Sequence, residues 1–396
     1  MITPLQGKGA MVDPLRLAAV ASWLMAGAQP PKPIEAVVQE CAARLRAAGL
    51  PLDAMIISGL FIHPDIRGIQ IRWTGRNGVR RVTFRHAYFE TSDFAATPIS
   101  RTIATGRSMR IQLAPQDPET DTAYATAFRA SGYTDILVLP LINFDGTVSG
   151  CIEFATQSAE GFGEEDITAL RRVQAPLARM KEFFTERFDK QITLATYVGE
   201  ATSRKVLSGQ IVRGDGETIS AAILFADIKG FTSLSNRIDS TDVLQVLNRF
   251  FDVIDAAVTR NNGEILKFLG DGVLVIFPTP DDLTAQEAAA QSAMTAITEA
   301  RQALADQADK PPIAFRAALH MGDVFFGNVG SRNRLDFTAI GPAVNLCARM
   351  LHEASSRDAR TLCSSRFKDI AIGLAGVPFT CEINGFEMPV EFFILD

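Results

Sequence analysis

Between about residues 215 and 320 the chain alternates strand-like and helix-like runs in one order, and that order leaves few folds open. Ala221–Ala226 is a short apolar run suited to a buried strand. Thr241–Arg260 places Val243, Leu244, Val246, Leu247, Phe250, Phe251, Ile254 and Val258 at helical spacing, and Asn262-Gly263 stops it. Glu264–Phe277 reads as a hairpin turned at Gly270-Asp271-Gly272. Thr284 with Glu287 makes a capping box that opens a long Ala-rich helix, closed by Pro311-Pro312. A strand resumes over Ile313–Leu319. The order β-α-β-β-α-β predicts a ferredoxin-like α+β sheet with its helices on one face.

At 396 residues the chain has room for two or three domains, and an apolar content of 47% gives each a core. Four segments are expected: an N-terminal helix in 1–30, an α+β domain over 31–163, a linking helix over 164–212, and the domain just described over 213–396. Asp13–Ala26 and Pro33–Ala48 read as helices. Ala54–Ile62, Gly68–Trp73 and Val79–Phe84 read as strands, and DILVLPLI and TVSGCIEFA read as a hairpin turned at Asp145-Gly146. In the linking helix Leu170, Val173, Leu177, Met180 and Phe184 repeat at coiled-coil spacing, with Pro176 expected to kink or restart it. Two readings of that seam stand side by side: a face packed on its own domain, or a helix pairing two copies.

The net charge of −6 and the lack of a Lys/Arg block exclude a nucleic-acid footprint. The five cysteines are unpatterned, which suits reduced thiols. The longest apolar stretch near the N-terminus, Leu17–Ala28, is too short to span a bilayer and has no basic region before it. The expectation is a cytoplasmic protein with no membrane span.

Two aspartates are placed for chemistry. Asp227 ends a buried strand in FADIKGFT, and the N–H groups after it, at Gly230, Phe231 and Thr232, open a helix able to hold phosphate oxygens. Asp271 lies between two glycines, so a neighbouring strand end can approach it closely. Two such carboxylates suit a pair of Mg²⁺ ions bound together with substrate phosphates. Taken alone, each aspartate is equally an ordinary turn or cap residue.

The blocks FADIKGFT, KFLGDGVLVIF, ALHMGDVFFGNVG and FTAIGPAVNLCARM together resemble the catalytic domain of class III nucleotidyl cyclases, over roughly Ile219–Asp396. The resemblance implies metal binding at Asp227, Ile228 and Asp271, with two Mg²⁺ or Mn²⁺ per site. It implies adenine reading by Lys267 and Thr338, ribose orientation by Asn345, and stabilisation of the α-phosphate transition state by Arg349. It further implies ATP as substrate and a homodimer whose sites take the aspartates from one copy and the other residues from its partner. The choice of base has a physical side: adenine N1 accepts a hydrogen bond and a lysine only donates, whereas guanine offers an N1–H donor there. In EINGFEMPVEFFIL, Asn384 stands where the family usually has a lysine that contacts the triphosphate, with Lys229, Arg316 and Arg334 as candidates to compensate. His320 reads as structural and Cys347 as a small core residue.

The segment Gly132–Phe188 resembles the end of a GAF domain, which implies a small-molecule effector of unidentified chemistry acting through an exit helix. His63 and His86 read as packed or surface histidines rather than haem or metal ligands, and Trp23, Trp73, Phe84, Tyr88 and Phe89 suit a core as well as a pocket. Two rivals to an adenylate cyclase stay open: a silent cyclase-like module that binds nucleotide or a partner, and a guanylate cyclase.

Overall fold

The computed structural model describes residues 12–30, 32–113, 122–307, 311–386 and 388–395. The first eleven residues of the expected N-terminal segment, and Pro31 of its Pro-Pro break, lie outside that set. The chain divides into two compact units, Met1–Thr193 and Leu194–Asp396.

The first unit contains helices α1 (Pro14–Met25) and α2 (Ile34–Ala47), then strands β1 (Ala54–Leu60), β2 (Ile66–Thr74) and β3 (Gly78–Arg85). Short helices α3 (Ser92–Ala95) and α4 (Pro98–Thr105), strand β4 (Met109–Gln112) and helix α5 (Ala123–Ala130) follow. Strands β5 (Asp135–Ile142) and β6 (Val148–Thr156) lead into the long helix α6 (Glu164–Val198). The strands form one antiparallel sheet in the order β3-β2-β1-β6-β5-β4.

Asp13 caps α1 by accepting from the N–H groups of Leu15 and Arg16, which fixes the start that Pro14 suits. One sheet face packs on α1, α2 and α6 through Val38, Leu45, Met55, Ile57, Phe154 and Leu170. The other carries a smaller core of Ile99, Leu113, Ala125, Ile136, Val138 and Cys151. Cover on both faces explains why β5 is an apolar run rather than an alternation. Leu170, Val173, Leu177 and Met180 are buried in the first unit's core, with Phe184 packed against it. The heptad-like seam is thus a face packed on its own domain. Helix α6 continues through Pro176, and the break comes at Gly199, whose φ of 87° suits glycine.

The second unit contains α7 (Glu200–Leu207), β7 (Gly216–Ile228), α8 (Phe231–Ser235), α9 (Ser240–Arg260), β8 (Glu264–Leu269), β9 (Gly272–Thr279) and α10 (Leu283–Ala305). Next come β10 (Phe315–Gly330), β11 (Leu335–Ile340), α11 (Pro342–Ser356), β12 (Thr361–Ser364), α12 (Ser365–Ile370), β13 (Val377–Cys381) and β14 (Val390–Leu395). The sheet runs β13-β14-β12-β10-β7-β9-β8, with β11 paired to β10. Its β10-β7-β9-β8 portion places the fourth, first, third and second strands of the βαββαβ unit side by side, the ferredoxin-like arrangement.

Helices α9 and α10 cover one face through Phe250, Ile254, Ala293 and Ile297. Helix α11 covers the opposite face through Val344, Leu346, Cys347 and Met350, so not all the helices share a side. Strand β7 accordingly sends Ala222, Leu224 and Ala226 into one core and Ala221, Ile223 and Phe225 into the other. Gly263 closes α9 against β9, where an added Cβ would lie 2.6 Å from the Phe277 ring. Helix α10 is capped by Asp282, which accepts from Ala285 N–H at 2.9 Å. The expected Thr284 cap falls inside the helix, because Asp282 reaches the first-turn donors first.

Candidate active site

Asp227 is the penultimate residue of β7 and sits opposite Gly272 of β9 and Arg316 of β10. Asp271 lies in the two-residue turn from β8 to β9, and its carbonyl accepts the Ile228 N–H at 3.3 Å. Gly270 turns the chain at φ 68°, and Gly272 lets the β7 backbone come close: an added Cβ there would stand 3.1 Å from the Ala226 carbonyl oxygen.

The Oδ1 atom of Asp227 is buried and has no hydrogen-bond partner. Burial pushes the Asp227 carboxyl up to about 6; Arg316 pulls it back and the Asp271 charge raises it further. Burial also raises the carboxyl of Asp271. An orphaned carboxylate oxygen beside a second carboxylate is the donor set a hard divalent cation completes. Among the described residues no three His, Cys, Asp or Glu side chains gather as a metal cluster. A cation here would need main-chain oxygen, for which Ile228, next to Asp227 in the chain, is the candidate, together with ligands from a substrate. The residues present therefore fit the group.

Gly230, in a left-handed conformation at φ 74°, precedes the single-turn helix α8. The N–H groups of Phe231 and Thr232 stand at the helix start, outside its own i→i−4 ladder. Of the side chains considered as compensation for Asn384, Lys229 pairs with Asp358 at 2.7 Å. Arg316, largely buried, reaches the same carboxylate at 3.5 Å. Both cations are engaged within the chain; Arg334 is exposed.

A second cluster forms where β8 meets β11. The Lys267 ammonium is ion-paired with Asp336. Thr338, buried on β11, lies two residues beyond Asp336, so the two share a strand face. Asp336 was not singled out from sequence. The period of two around Thr338 was the signal that could have found it.

A third cluster is the exposed side of α11. Its buried positions are Ala343, Val344, Leu346, Cys347, Met350 and Ala354, which leaves Asn345 and Arg349 one turn apart on the open side. The turn Ile383–Phe386 approaches it, because an added Cβ at Gly385 would lie 3.2 Å from the Arg349 guanidinium. Asn384 thus sits at the edge of the Arg349 cluster. Among the described residues no hydrogen bond or ion pair joins Asp227 or Asp271 to Lys267, Asn345 or Arg349.

The remaining candidates are structural. His320 is buried and its Nδ1 bonds the Ser364 hydroxyl at 2.7 Å, while burial lowers its pKa to about 4. Cys347 directs its Sγ to the Ala318 carbonyl at 3.3 Å, and burial raises its thiol far above the ordinary value. His63 Nδ1 accepts from the N–H groups of Asp65 and Ile66, which ties down its loop. His86 bonds the His63 carbonyl at 2.8 Å. No helix among the described residues is long and apolar enough to cross a membrane.

Residues 216–366 match the family model described as the adenylate and guanylate cyclase catalytic domain. The uncharacterized protein Rv1319c of Mycobacterium tuberculosis is 38% identical over 150 residues, 38% of this chain and 27% of that protein. Its neighbour in name, Rv1320c, is 32% identical over 201 residues, 51% of this chain and 34% of that protein. The chain thus spans about a third or less of these curated relatives. A bacterial light-regulated adenylyl cyclase structure shares 21% identity at TM-score 0.45, covering 57% of this chain and 64% of that one. The adenylyl cyclase CyaB from P. aeruginosa shares 24% identity at TM-score 0.38, covering 46% and 96%. The guanylyl cyclase Cya2 shares 28% at TM-score 0.37, covering 46% and 93%. With the strand order, the paired aspartates and the α11 face already in place, the family match identifies residues 216–366 as a class III nucleotidyl cyclase catalytic domain.

Proposed function

We propose that the chain is an adenylate cyclase that converts ATP to 3′,5′-cyclic AMP and pyrophosphate, working as a homodimer under control of its first unit. The observation that supports this reading is that, among the described residues, no hydrogen bond or ion pair joins the acidic pair to the Lys267–Thr338 patch or the Asn345–Arg349 face. Two copies meeting head to tail would bring the acidic pair of one against the other two clusters of its partner.

In such a site Asp227, Asp271 and the Ile228 carbonyl would hold the metals, and the N–H groups of Phe231 and Thr232 would take phosphate oxygens. Two bound Mg²⁺ or Mn²⁺ ions would supply Lewis-acid activation of the ribose 3′-OH and charge neutralisation on the leaving pyrophosphate. Arg349 donates to the α-phosphoryl oxygens as charge builds in the in-line transition state. Asn345, one turn earlier, orients the ribose. Lys267 donates to adenine N1, and the Thr338 hydroxyl accepts from the adenine amino group.

Asp336 favours one second reading. Its carboxylate beside Lys267 is an acceptor that guanine N1–H could use while the lysine donates to O6, which is a guanylate cyclase. Product analysis separates the two. Purified full-length protein receives ATP or GTP with Mg²⁺ or Mn²⁺, and the nucleotides are resolved by chromatography. Cyclic AMP formed in preference supports the proposal. Cyclic GMP formed in preference overturns the base assignment, and no product from either supports a silent module.

A further inference from the structure

The first unit holds a cleft of about 440 Å³ between β1 and β2 on one side and α2 and α6 on the other. That is within the size range of small-molecule sites. It lies on the helix-covered face of the sheet. Ile57, Ile69, Ile71, Phe61, Phe184 and Phe188 give it an apolar wall, with Phe61 and Phe188 packed edge to face at 5.3 Å.

Two polar groups on α6 break that wall, one helical turn apart on one face: Lys181 and Thr185. Lys181 is 4% exposed, and its stem lies across Gly59, where an added Cβ would stand 3.0 Å from the lysine Cε. Its ammonium donates to the hydroxyl and the carbonyl of Ser149, which uses two of its three N–H bonds. Among the described residues it makes no ion pair. Asp189 and Glu182 act on it only from a distance, and burial lowers its pKa to about 8. Thr185 is 9% exposed, and its Oγ1 is buried with no hydrogen-bond partner. The other charges around the cleft are largely spoken for: Arg81 pairs with Glu35 at 2.7 Å, and Lys32 pairs with Glu40. Arg187 remains at the exposed rim.

An unpaired buried ammonium and an orphaned buried hydroxyl are both costly unless something completes them. We propose that this cleft binds a small amphipathic carboxylate, a molecule with an apolar body and one anionic head. Lys181 takes one carboxylate oxygen and Thr185 donates to the other, while the isoleucine and phenylalanine wall takes the body. A single charge fits better than a phosphate, because only one buried cation lacks a partner. The ligand would act on α6 at Lys181, Thr185 and Phe188. That such binding tunes cyclase activity rests on the function proposed above; the binding itself does not.

The test is isothermal titration of the full chain with decanoate and, separately, with 1-decanol. Decanoate should bind, with decanol about tenfold weaker or worse, the usual effect of losing one charge-assisted bond. In Lys181→Met the preference for decanoate over decanol should vanish, while the ligand-free variant melts at or above the wild-type temperature because an unpaired buried charge is gone. Thr185→Leu, which fills the cleft with an apolar group, should abolish decanoate binding and serves as a second check on fold and site. Absence of decanoate heat, equal affinity for decanol, or unchanged preference in Lys181→Met would each overturn the proposal. The readout is heat without triphosphate, so failure here is distinct from failure of the cyclase reading.

Discussion

Replacing Glu153 by glutamine should flatten the pH dependence of the first unit's stability. Glu153 lies on β6, is 2% exposed and accepts a hydrogen bond from the Tyr124 hydroxyl. Burial pushes its carboxyl from 4.5 to about 7, with Tyr124 and then Arg72 opposing the shift. A folded pKa above the unfolded one means the folded state holds the proton longer. The contribution is therefore complete below pH 4.5 and is lost as pH rises through 7. That rise corresponds to roughly 3 kcal/mol in full, most of which falls between pH 5 and pH 8. Both tryptophans of the chain, Trp23 and Trp73, lie in the first unit, so intrinsic fluorescence reports its unfolding alone. Urea titrations at pH 5 and pH 8 should show Glu153→Gln losing roughly that much of the wild-type difference. Equal pH dependence in the two proteins would mean that Glu153 is not a buried titrating group and would refute the reasoning.

Other outcomes follow from the same structure. Asp227→Ala should lower cyclase activity by about 100-fold or more while leaving the fold intact, since it removes a carboxylate proposed to hold metal and whose burial is costly; steady-state product formation and circular dichroism check both halves. Lys267→Glu should narrow the ratio of ATP to GTP turnover, because an acceptor would replace the donor proposed to face adenine N1 and would meet Asp336 as a like charge. Competitive kinetics with both triphosphates would read the change. Phe250→Ala should cost about 3–5 kcal/mol, because the ring is fully buried between α9 and β10 and stacks on Phe251 and Phe315; far-ultraviolet dichroism in urea would measure it.

Much of the second unit was legible because its pattern is local. The continuous apolar run of β7, the apolar face of α9 and the glycines around Asp271 are set by neighbours within a few residues. Asp227 and Asp271 lie at a strand end and the turn facing it, Lys267 and Thr338 within β8 and β11, and Asn345 and Arg349 on one face of α11. What the sequence hid depends on distant partners. Asp336 meets Lys267 across 69 residues of chain, so neither residue advertises the other. In the sequence Lys181 is one charge among many on an amphipathic helix, yet Gly59 of β1 opens the space that buries it. The seam on α6 has the spacing of a coiled coil because a helix packed on a sheet uses the same rows of side chains. Helix α11 crosses to the second sheet face because β10 extends to Gly330 and β11 returns along it, a length that the short apolar run at Ile313–Leu319 did not reveal.

The central claim is a site completed by two copies, and mixing two inactive variants tests it directly. Asp227→Ala breaks the acidic pair and Arg349→Ala removes the arginine proposed to bind the α-phosphate. An equal mixture, allowed to exchange subunits, holds one intact site in each mixed dimer and should recover about a quarter of wild-type cyclic AMP formation. A mixture no more active than either variant alone, with exchange confirmed, would mean that each chain builds its site by itself and would contradict the account.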